Sequence, residues 1–189
     1  MKVKAQGFLN AAEYIQETYG RDSLAKVLRA CSDDVREHYT SLIAIDWQEL
    51  DELCEFIETA ETILEQPAGK LAEAIGAAGA RANLKGTLLR AAFYLGKPEY
   101  LMRRVAGIWR QFNDEGTMTV QDMTDHDVKL EVTGVTNPRA SFCCVLTGWC
   151  FEMTRALGIK DGRATHIQCR ARGGKRCLWE VRGRIVPRA

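Results

Sequence analysis

The stretches SFCCVLTGWC, residues 141–150, and THIQCRARGGKRCLW, residues 165–179, hold most of the cysteines and decide how the C-terminal part of the chain folds. The first lies in a segment with helical periodicity that follows Asn137-Pro138 and continues to about Leu157. The second predicts two strands, 164–172 and 175–182, joined at Gly173 and Gly174. We therefore expect a helix followed by a closing β-hairpin.

This hairpin brings two cysteines together. If its loop is Arg172–Gly174, Cys169 and Cys177 lie opposite each other, and cross-strand partners have Cβ atoms roughly 4.5–5.5 Å apart. His166 precedes Cys169 by three residues, and positions three apart in a regular strand face opposite sides. We therefore expect His166 to join the same site only if the strand ends or bulges there.

A fourth ligand would come from the preceding helix. Cys143 is the first candidate, and Cys150, two turns further along the same side, is the substitute. Three cysteines and one histidine suit a structural zinc ion, which is tetrahedral with every position filled by protein. The spacing leaves two other interpretations open, namely inert thiols packed in the core and a redox-active pair.

Upstream of these stretches, the periodicity changes from helical to alternating after Asn113. Residues 117–123 and 128–135 alternate with period two and predict two more strands. Helices followed by a mostly antiparallel sheet of about four strands make an α+β domain. We expect a single domain over residues 1–189, with a helical part at 1–113, a strand, helix and hairpin part at 114–184, and a short tail at 185–189.

The first 113 residues predict a series of amphipathic helices. One ends at Gly20, a second covers about 22–30, and a third runs over 47–64. Further helices are expected from Lys70 onward, over 88–95, and over 101–112.

Composition indicates an ordinary globular protein. The 189 residues can bury a substantial core, and a net charge of +1 gives no bulk attraction to nucleic acid. Seven cysteines, an odd number, disfavour a secreted disulfide framework. We find no signal segment and no apolar stretch of roughly 18–20 residues, so we expect a cytoplasmic protein without membrane contact.

Two oppositely charged segments favour interaction with partners. Residues 46–65 hold eight carboxylates and no Lys or Arg, a pattern that most often marks a solvated helix face. From residue 160 onward, nine Lys and Arg stand against two carboxylates. Such patches would promote a homodimer or the docking of a protein partner on the acidic helix. The basic hairpin lacks a nucleic-acid-binding signature, so nucleic acid is not an expected partner.

The cysteine pattern resembles the 4-vinyl-reductase domain, which occurs in relatives of vinyl reductases and in the sensory part of phenol-responsive transcriptional activators. The shared features are a cysteine-bearing helix, a glycine-containing connection, and two cysteines separated by seven residues before an aromatic strand. In the activators, the metal ligands are a helix Cys, an acidic residue, a Cys three later and a Cys eight beyond. The matching positions here are Cys143, His166, Cys169 and Cys177, with His166 in place of the acidic ligand.

The helical front, GFLNAAEYIQETYGRDSLAKVL at residues 7–28, more loosely resembles the wider fold group shared by haem-dependent nitric-oxide sensors and TRAPP subunits. This resemblance implies helices packed on an antiparallel sheet around a small-molecule pocket, often in a homodimer. The sensors hold haem with a proximal His and with a Tyr, Ser and Arg signature. Residues 95–112 contain no histidine, and residues 135–142 lack the signature, so we expect that haem is not bound.

We therefore interpret the chain as a sensor or adaptor domain that binds a hydrophobic small molecule and has a structural zinc site. No G-x-S-x-G, P-loop, H-E-x-x-H or dinucleotide motif is present, so no catalytic residue is expected. The alternatives are a dimerising scaffold like the TRAPP subunits and, ranked lower, a tetrapyrrole-reductase-related enzyme or a haem-based gas sensor. Large apolar side chains would line the pocket: Phe93, Tyr94, Trp109, Phe112, Trp149 and Met153.

Overall fold

The computed structural model of the protein describes residues 1–85, 105–124, 126–156 and 159–185. The N-terminal part consists of β1 (Lys2–Lys4), α1 (Gln6–Tyr19), α2 (Arg21–Ala30), α3 (Asp33–Ser41), β2 (Trp47–Glu49), α4 (Leu50–Ile63) and α5 (Lys70–Lys85). The C-terminal part consists of α6 (Val105–Phe112), β3 (Thr117–Met123), β4 (Asp127–Thr133), α7 (Ala140–Ala156), β5 (Ile159–Gln168) and β6 (Cys177–Ile185).

Two sheets accompany the seven helices of the described residues. Strands β3, β4, β6 and β5 lie side by side in that order, and every neighbouring pair is antiparallel. Strands β1 and β2 form a separate two-stranded sheet. The protein therefore has an α+β fold, as the sequence predicted.

The core lies between the helices and one face of the large sheet. On β4, Val128, Leu130 and Val132 are buried and alternate with partly exposed polar residues, because successive strand residues face opposite sides. The outer face carries ion pairs such as Arg182 to Glu180, 2.7 Å apart. The sheet is thus apolar on the side that meets the helices and charged on the other.

Two glycines allow α5 and α7 to cross with their backbones in contact. A Cβ atom on Gly76 would lie 1.9 Å from the carbonyl oxygen of Val145, and one on Gly148 would lie 1.8 Å from that of Glu73. No side chain fits at either position, so both residues fix the separation of the two helices.

The helix predicted over 47–64 begins later than expected. Trp47–Glu49 forms β2 because it pairs with Lys2–Lys4 of β1, and the Lys4 ammonium lies 3.9 Å from the centre of the Trp47 ring.

Helix α3 was not predicted from the sequence. The helix expected over 88–95 lies outside the described residues, and the one expected over 101–112 is observed over Val105–Phe112.

The strand boundaries were predicted less well near the hairpin. Strand β5 covers Ile159–Gln168, whereas the prediction was 164–172, because Arg170–Arg172 forms a 3₁₀ turn. Strand β4 ends at Thr133, two residues early, and β6 extends to Ile185, the first residue of the expected tail. No described helix combines the length and the hydropathy that crossing a bilayer would require.

Much of the acidic segment 46–65 has partners within the protein. Glu61 is buried and accepts a hydrogen bond from the backbone N–H of Ala72 at the start of α5. Arg139 pairs with both Asp51 and Glu58. The interpretation of this segment as a simple solvated face is therefore incomplete, because several carboxylates tie α4 to neighbouring elements.

Candidate metal centre and ligand cavity

Four side chains converge where the hairpin meets α7. They are Cys143 on α7, His166 on β5, Cys169 just after β5 and Cys177 at the start of β6, and one ligand atom from each lies within 4.8 Å of all the others. The three cysteines are buried, and His166 is partly exposed. The structure therefore brings together the four residues that the sequence singled out, and the helix residue is Cys143 and not Cys150.

The backbone of the hairpin explains how His166 and Cys169 reach one site. The register of β5 against β6 shifts between His166 and Gln168, which is the irregularity that their spacing requires. The last paired residues are Gln168 and Leu178, so Cys169 and Cys177 occupy the next opposed positions.

The loop between the two strands is longer than predicted and wraps back onto Cys169. The backbone N–H of Gly174 donates to the carbonyl oxygen of Cys169 over 2.7 Å, and a Cβ atom on Gly174 would lie at that same distance from the oxygen. Gly173 has a φ of 83°, in the left-handed region that favours glycine. Both glycines are therefore needed to fold this loop over the cluster.

A buried tryptophan links α7 to the hairpin. Trp179 is fully buried, and its indole N–H donates to Thr147 Oγ1 over 2.9 Å. The Thr147 hydroxyl in turn donates to the carbonyl oxygen of Cys143 over 2.9 Å. The Trp179 ring also stacks on the His166 ring, with ring centroids 4.1 Å apart. Trp179 therefore contacts both α7 and a residue of the cluster.

The thiols of Cys143 and Cys177 shift each other's pKa in opposite directions. Their interaction raises the pKa of Cys143 and lowers the pKa of Cys177. His166 and the backbone N–H of Arg170, which lies 3.5 Å from Cys177 Sγ, also lower the pKa of Cys177. Within this pair, Cys177 therefore loses its proton more readily, and the thiolate is the form of cysteine that binds metals.

This donor set fits a tetrahedral metal ion. Zn–S bonds of about 2.3 Å place the ligand atoms of a tetrahedral site about 3.8 Å apart. Ligand atoms within 4.8 Å of one another need only a small inward movement to reach that geometry. Three sulfurs and one imidazole are preferred zinc ligands, and four protein ligands leave no position for a reacting water molecule.

The remaining cysteines lie outside the cluster. Burial raises the pKa of Cys54 to about 11 and that of Cys150 to about 12, so both stay protonated at neutral pH. Cys144 is half-buried and lies 4.0 Å from an Arg172 nitrogen. Burial also raises the pKa of Cys144.

A partly enclosed cavity of about 100 Å³ lies between α1, α5, α6 and α7. Trp109, Phe112 and Trp149, three of the residues expected to line a ligand pocket, line this cavity. Met153 does not belong to the described lining, because it lies one turn beyond Trp149 and is buried in the core. Phe93 and Tyr94 lie outside the described residues. The rest of the apolar lining consists of aliphatic side chains and one phenylalanine: Leu53, Ile57, Ile75, Ile108, Phe142, Val145 and Leu146.

Polar residues that the sequence analysis did not single out also line this cavity. Gln6 and Asn10 come from α1, Asn83 from α5, and Asn113 follows α6. Asn10 and Asn113 are both buried. The sequence could have indicated that Asn10 is buried, because Asn10 lies on the side of α1 that carries the buried Phe8, Ala11 and Ala12.

No family model matches this sequence, and no curated protein is similar to it. The fold, in contrast, matches solved structures of H-NOX proteins. The H-NOX protein from K. algicida in the Fe(II) unliganded state has a TM-score of 0.74 at 7% identity, covering 98% of this chain and 99% of that chain. The H-NOX protein from S. oneidensis in the Fe(II)NO ligation state has a TM-score of 0.73 at 12% identity, covering 96% and 99%. A structure concerned with heme distortion in the H-NOX family has a TM-score of 0.70 at 9% identity, covering 98% of each chain.

These matches confirm the wider fold group and contradict the prediction against haem. The absence of a histidine from residues 95–112 was too narrow a criterion for excluding haem. Solved structures with this fold are described by their iron ligation state and by heme distortion. Haem proteins take axial ligands from His, Cys, Met or Tyr. Among the described residues that line the cavity, Met118 is the one whose side chain is of an axial-ligand type. His38 and His126 are exposed elsewhere, and His166 belongs to the cluster.

Proposed function

We propose that this chain is a sensor domain that binds a small apolar molecule in the cavity between α1, α5, α6 and α7. The observation that carries the proposal is the cavity itself, with apolar walls and a few polar groups, which is the usual composition of a small-molecule site. Haem belongs to the ligands to be tested, because structures of this fold are described with it. A ligand of that size would require the cavity to widen.

Helix α7 connects the cavity to the four-residue cluster. Phe142, Val145, Leu146 and Trp149 line the cavity, whereas Cys143 joins the cluster. A ligand that shifts α7 would therefore also shift a residue of the cluster. We propose this shared helix as the route by which the sensor domain responds to its ligand.

Ligand binding by the purified chain tests the sensor proposal. Native mass spectrometry and the shift in melting temperature would be measured with toluene, benzamide and haem. We expect at least one of them to bind with 1:1 stoichiometry and to raise the melting temperature. The absence of binding by all three would contradict the proposal.

A cavity-filling variant identifies where the ligand binds. Gly79 lines the cavity, and a Cβ atom there makes only an ordinary 3.5 Å contact with Asn10 Nδ2, so Gly79→Leu should fold and occupy the space. Gly107→Leu is the matched control, because no described atom lies within 4 Å of a Cβ atom at that position. Gly79→Leu should lose binding and Gly107→Leu should retain it. Equal binding by the two variants would place the ligand elsewhere.

We further propose that Cys143, His166, Cys169 and Cys177 hold a structural Zn²⁺ ion. This would be the metal site of the 4-vinyl-reductase domain, with His166 in place of the acidic ligand. The convergence of the four ligand atoms within 4.8 Å supports this proposal, together with the lowered pKa of Cys177. The ion would fasten β5 and β6 to α7, and the energy of binding would contribute to folding.

Elemental analysis of matched cysteine variants tests the zinc proposal. We expect about one zinc per chain in the unmodified protein, a loss of most of it in Cys177→Ser, and no loss in Cys144→Ser. Cys144 is the suitable control because it neighbours Cys143 but does not belong to the cluster. Equal zinc content in both variants would contradict the assignment.

One surface feature favours the scaffold function as a second candidate. Ile43, Ile45 and Trp47 are 62%, 76% and 43% exposed, although large apolar side chains are usually covered. A homodimer or a protein partner would bury them. Native mass spectrometry of Ile45→Ser against the unmodified chain tests this proposal, since a dimer through this surface should dissociate in the variant. A monomer in both cases would contradict the homodimer.

A further inference from the structure

We infer that the ligand of the cavity carries one neutral hydrogen-bonding group, with a primary carboxamide as the best complement, on an apolar body of about one ring. This inference rests on the proposed ligand-binding function and specifies the chemical class of the ligand. It follows from the amide side chains that line the cavity, from the absence of a free charge in its described lining, and from its volume.

The first observation is an amide pair on α1. Gln6 Nε2 donates to Asn10 Oδ1 over 2.7 Å, and this contact uses one polar atom of each side chain. Among the described residues, Asn10 Nδ2 and Gln6 Oε1 have no hydrogen-bond partner, and neither is a fully enclosed atom. The pair therefore presents one donor and one acceptor toward the cavity that both residues line.

A second buried amide lies at the end of α6. Asn113 is 7% exposed, and its Nδ2 atom donates to the carbonyl oxygen of Trp109 over 3.0 Å. Its Oδ1 atom has no partner within the part of the chain that the structure describes. This oxygen is not one of the fully enclosed polar atoms, so a ligand donor could reach it and add one hydrogen bond.

The described lining offers no free charge to a ligand. Lys4 is its one charged residue, and the ammonium group is already engaged by the carbonyl oxygen of Ile45 at 2.5 Å and by the Trp47 ring. A carboxylate in the cavity would lose its hydration without gaining a counter-ion. A carboxamide has both a donor and an acceptor and carries no charge, so it matches the Gln6–Asn10 pair.

The volume limits the apolar body. A cavity of roughly 150 Å³ in another protein holds benzene. The cavity here measures about 100 Å³, so a single ring is the largest body that fits without widening it. Benzamide combines such a ring with a carboxamide and is the probe for this inference.

The experiment compares three probes of similar shape on the purified full chain by calorimetry, namely benzamide, benzoate and toluene. We expect benzamide to bind about fivefold more tightly than either of the others, which is the effect of one net hydrogen bond of about 1 kcal/mol. Asn10→Leu and Gln6→Met replace each amide by an apolar side chain of similar size. Either variant should bind benzamide about as weakly as toluene while its affinity for toluene is kept. Asn137→Leu, a substitution at an exposed loop position, should change neither.

The binding results distinguish a failure of the carboxamide inference from a failure of the sensor proposal. If toluene binds as tightly as benzamide, or if both amide variants bind benzamide normally, the amide wall does not select the ligand and the inference is overturned. A preference for benzoate overturns it as well. If haem binds and none of the three probes does, this inference fails while the sensor proposal stands. If none of the three probes and no haem binds, both fail. Two variants are used so that the comparison survives if one of them does not fold.

Discussion

The rings of His166 and Trp179 stack almost parallel, with an interplanar angle of 3° and centroids 4.1 Å apart. The two residues are also direct cross-strand partners in β5 and β6. Because Trp179 is held by its hydrogen bond to Thr147 on α7, it fixes the orientation of His166 at the cluster. Residues that contact a metal ligand without binding the metal themselves commonly have this orienting role.

The stack predicts that Trp179 supports metal binding without being a ligand. Trp179→Phe keeps an aromatic ring beside His166 but removes the hydrogen bond to Thr147 Oγ1. We expect zinc affinity, measured by competition with a chelator, to fall by about tenfold or more. Trp47→Phe, at an exposed position in β2, is the control and should leave the affinity unchanged. The same affinity in Trp179→Phe and in the control would argue against the orienting role.

The crossing of α5 and α7 predicts opposite effects for two alanine substitutions on one helix. Gly76→Ala would place a Cβ atom 1.9 Å from the Val145 carbonyl oxygen, so the helices must separate, and we expect a loss of about 2–3 kcal/mol. Gly79→Ala makes only an ordinary contact at 3.5 Å. Alanine is the better helix former, so this control should gain about 0.5–1 kcal/mol. Urea unfolding measures both, and equal stability of the two variants would contradict the close crossing.

The pair of His38 and Glu52 predicts a small pH dependence of stability. The hydrogen bond from His38 to Glu52 over 2.9 Å raises the folded-state pKa of His38 above 6.5. The folded state then binds the proton more tightly than the unfolded chain does. This contribution is fully present below about pH 6.5 and is lost as the pH rises through the folded-state pKa.

A His38→Gln variant checks that sign. Exposed ion pairs contribute about 0.2–1 kcal/mol, and His38 is 56% exposed, so the effect should lie at the low end. Relative to the variant, the unmodified protein should be more stable at pH 5.5 than at pH 8.5 in urea unfolding. A difference of the opposite sign would show that the pair does not stabilise the charged histidine.

The convergence of Cys143, His166, Cys169 and Cys177 could be predicted from sequence because the geometry of the cluster is mostly local. The spacing of Cys169 and Cys177 places them at opposed positions of one hairpin, and the required irregularity beside His166 is observed. The loop differed in length, since the 3₁₀ turn at Arg170–Arg172 has no strong signal in its residues. This difference did not affect the opposition of the two cysteines, because Gln168 pairs with Leu178 in the register that places Cys169 opposite Cys177.

Features that depend on distant contacts were not predictable in the same way. Trp47–Glu49 has the residues of a helix start and becomes a strand only because Lys2–Lys4, more than forty residues earlier, pairs with it. The role of Asn10 likewise depends on α5 and α6, which complete the cavity around it. The expectation against haem failed for a related reason. It rested on single ligand positions, whereas the fold was shared over nearly the whole chain.

X-ray absorption spectroscopy at the zinc edge of the purified protein tests the metal assignment most directly. We expect about one zinc per chain, coordinated by three sulfur atoms at about 2.3 Å and one nitrogen atom at about 2.0 Å. A chain without stoichiometric zinc, or a zinc shell dominated by oxygen, would contradict the claim that Cys143, His166, Cys169 and Cys177 hold the ion.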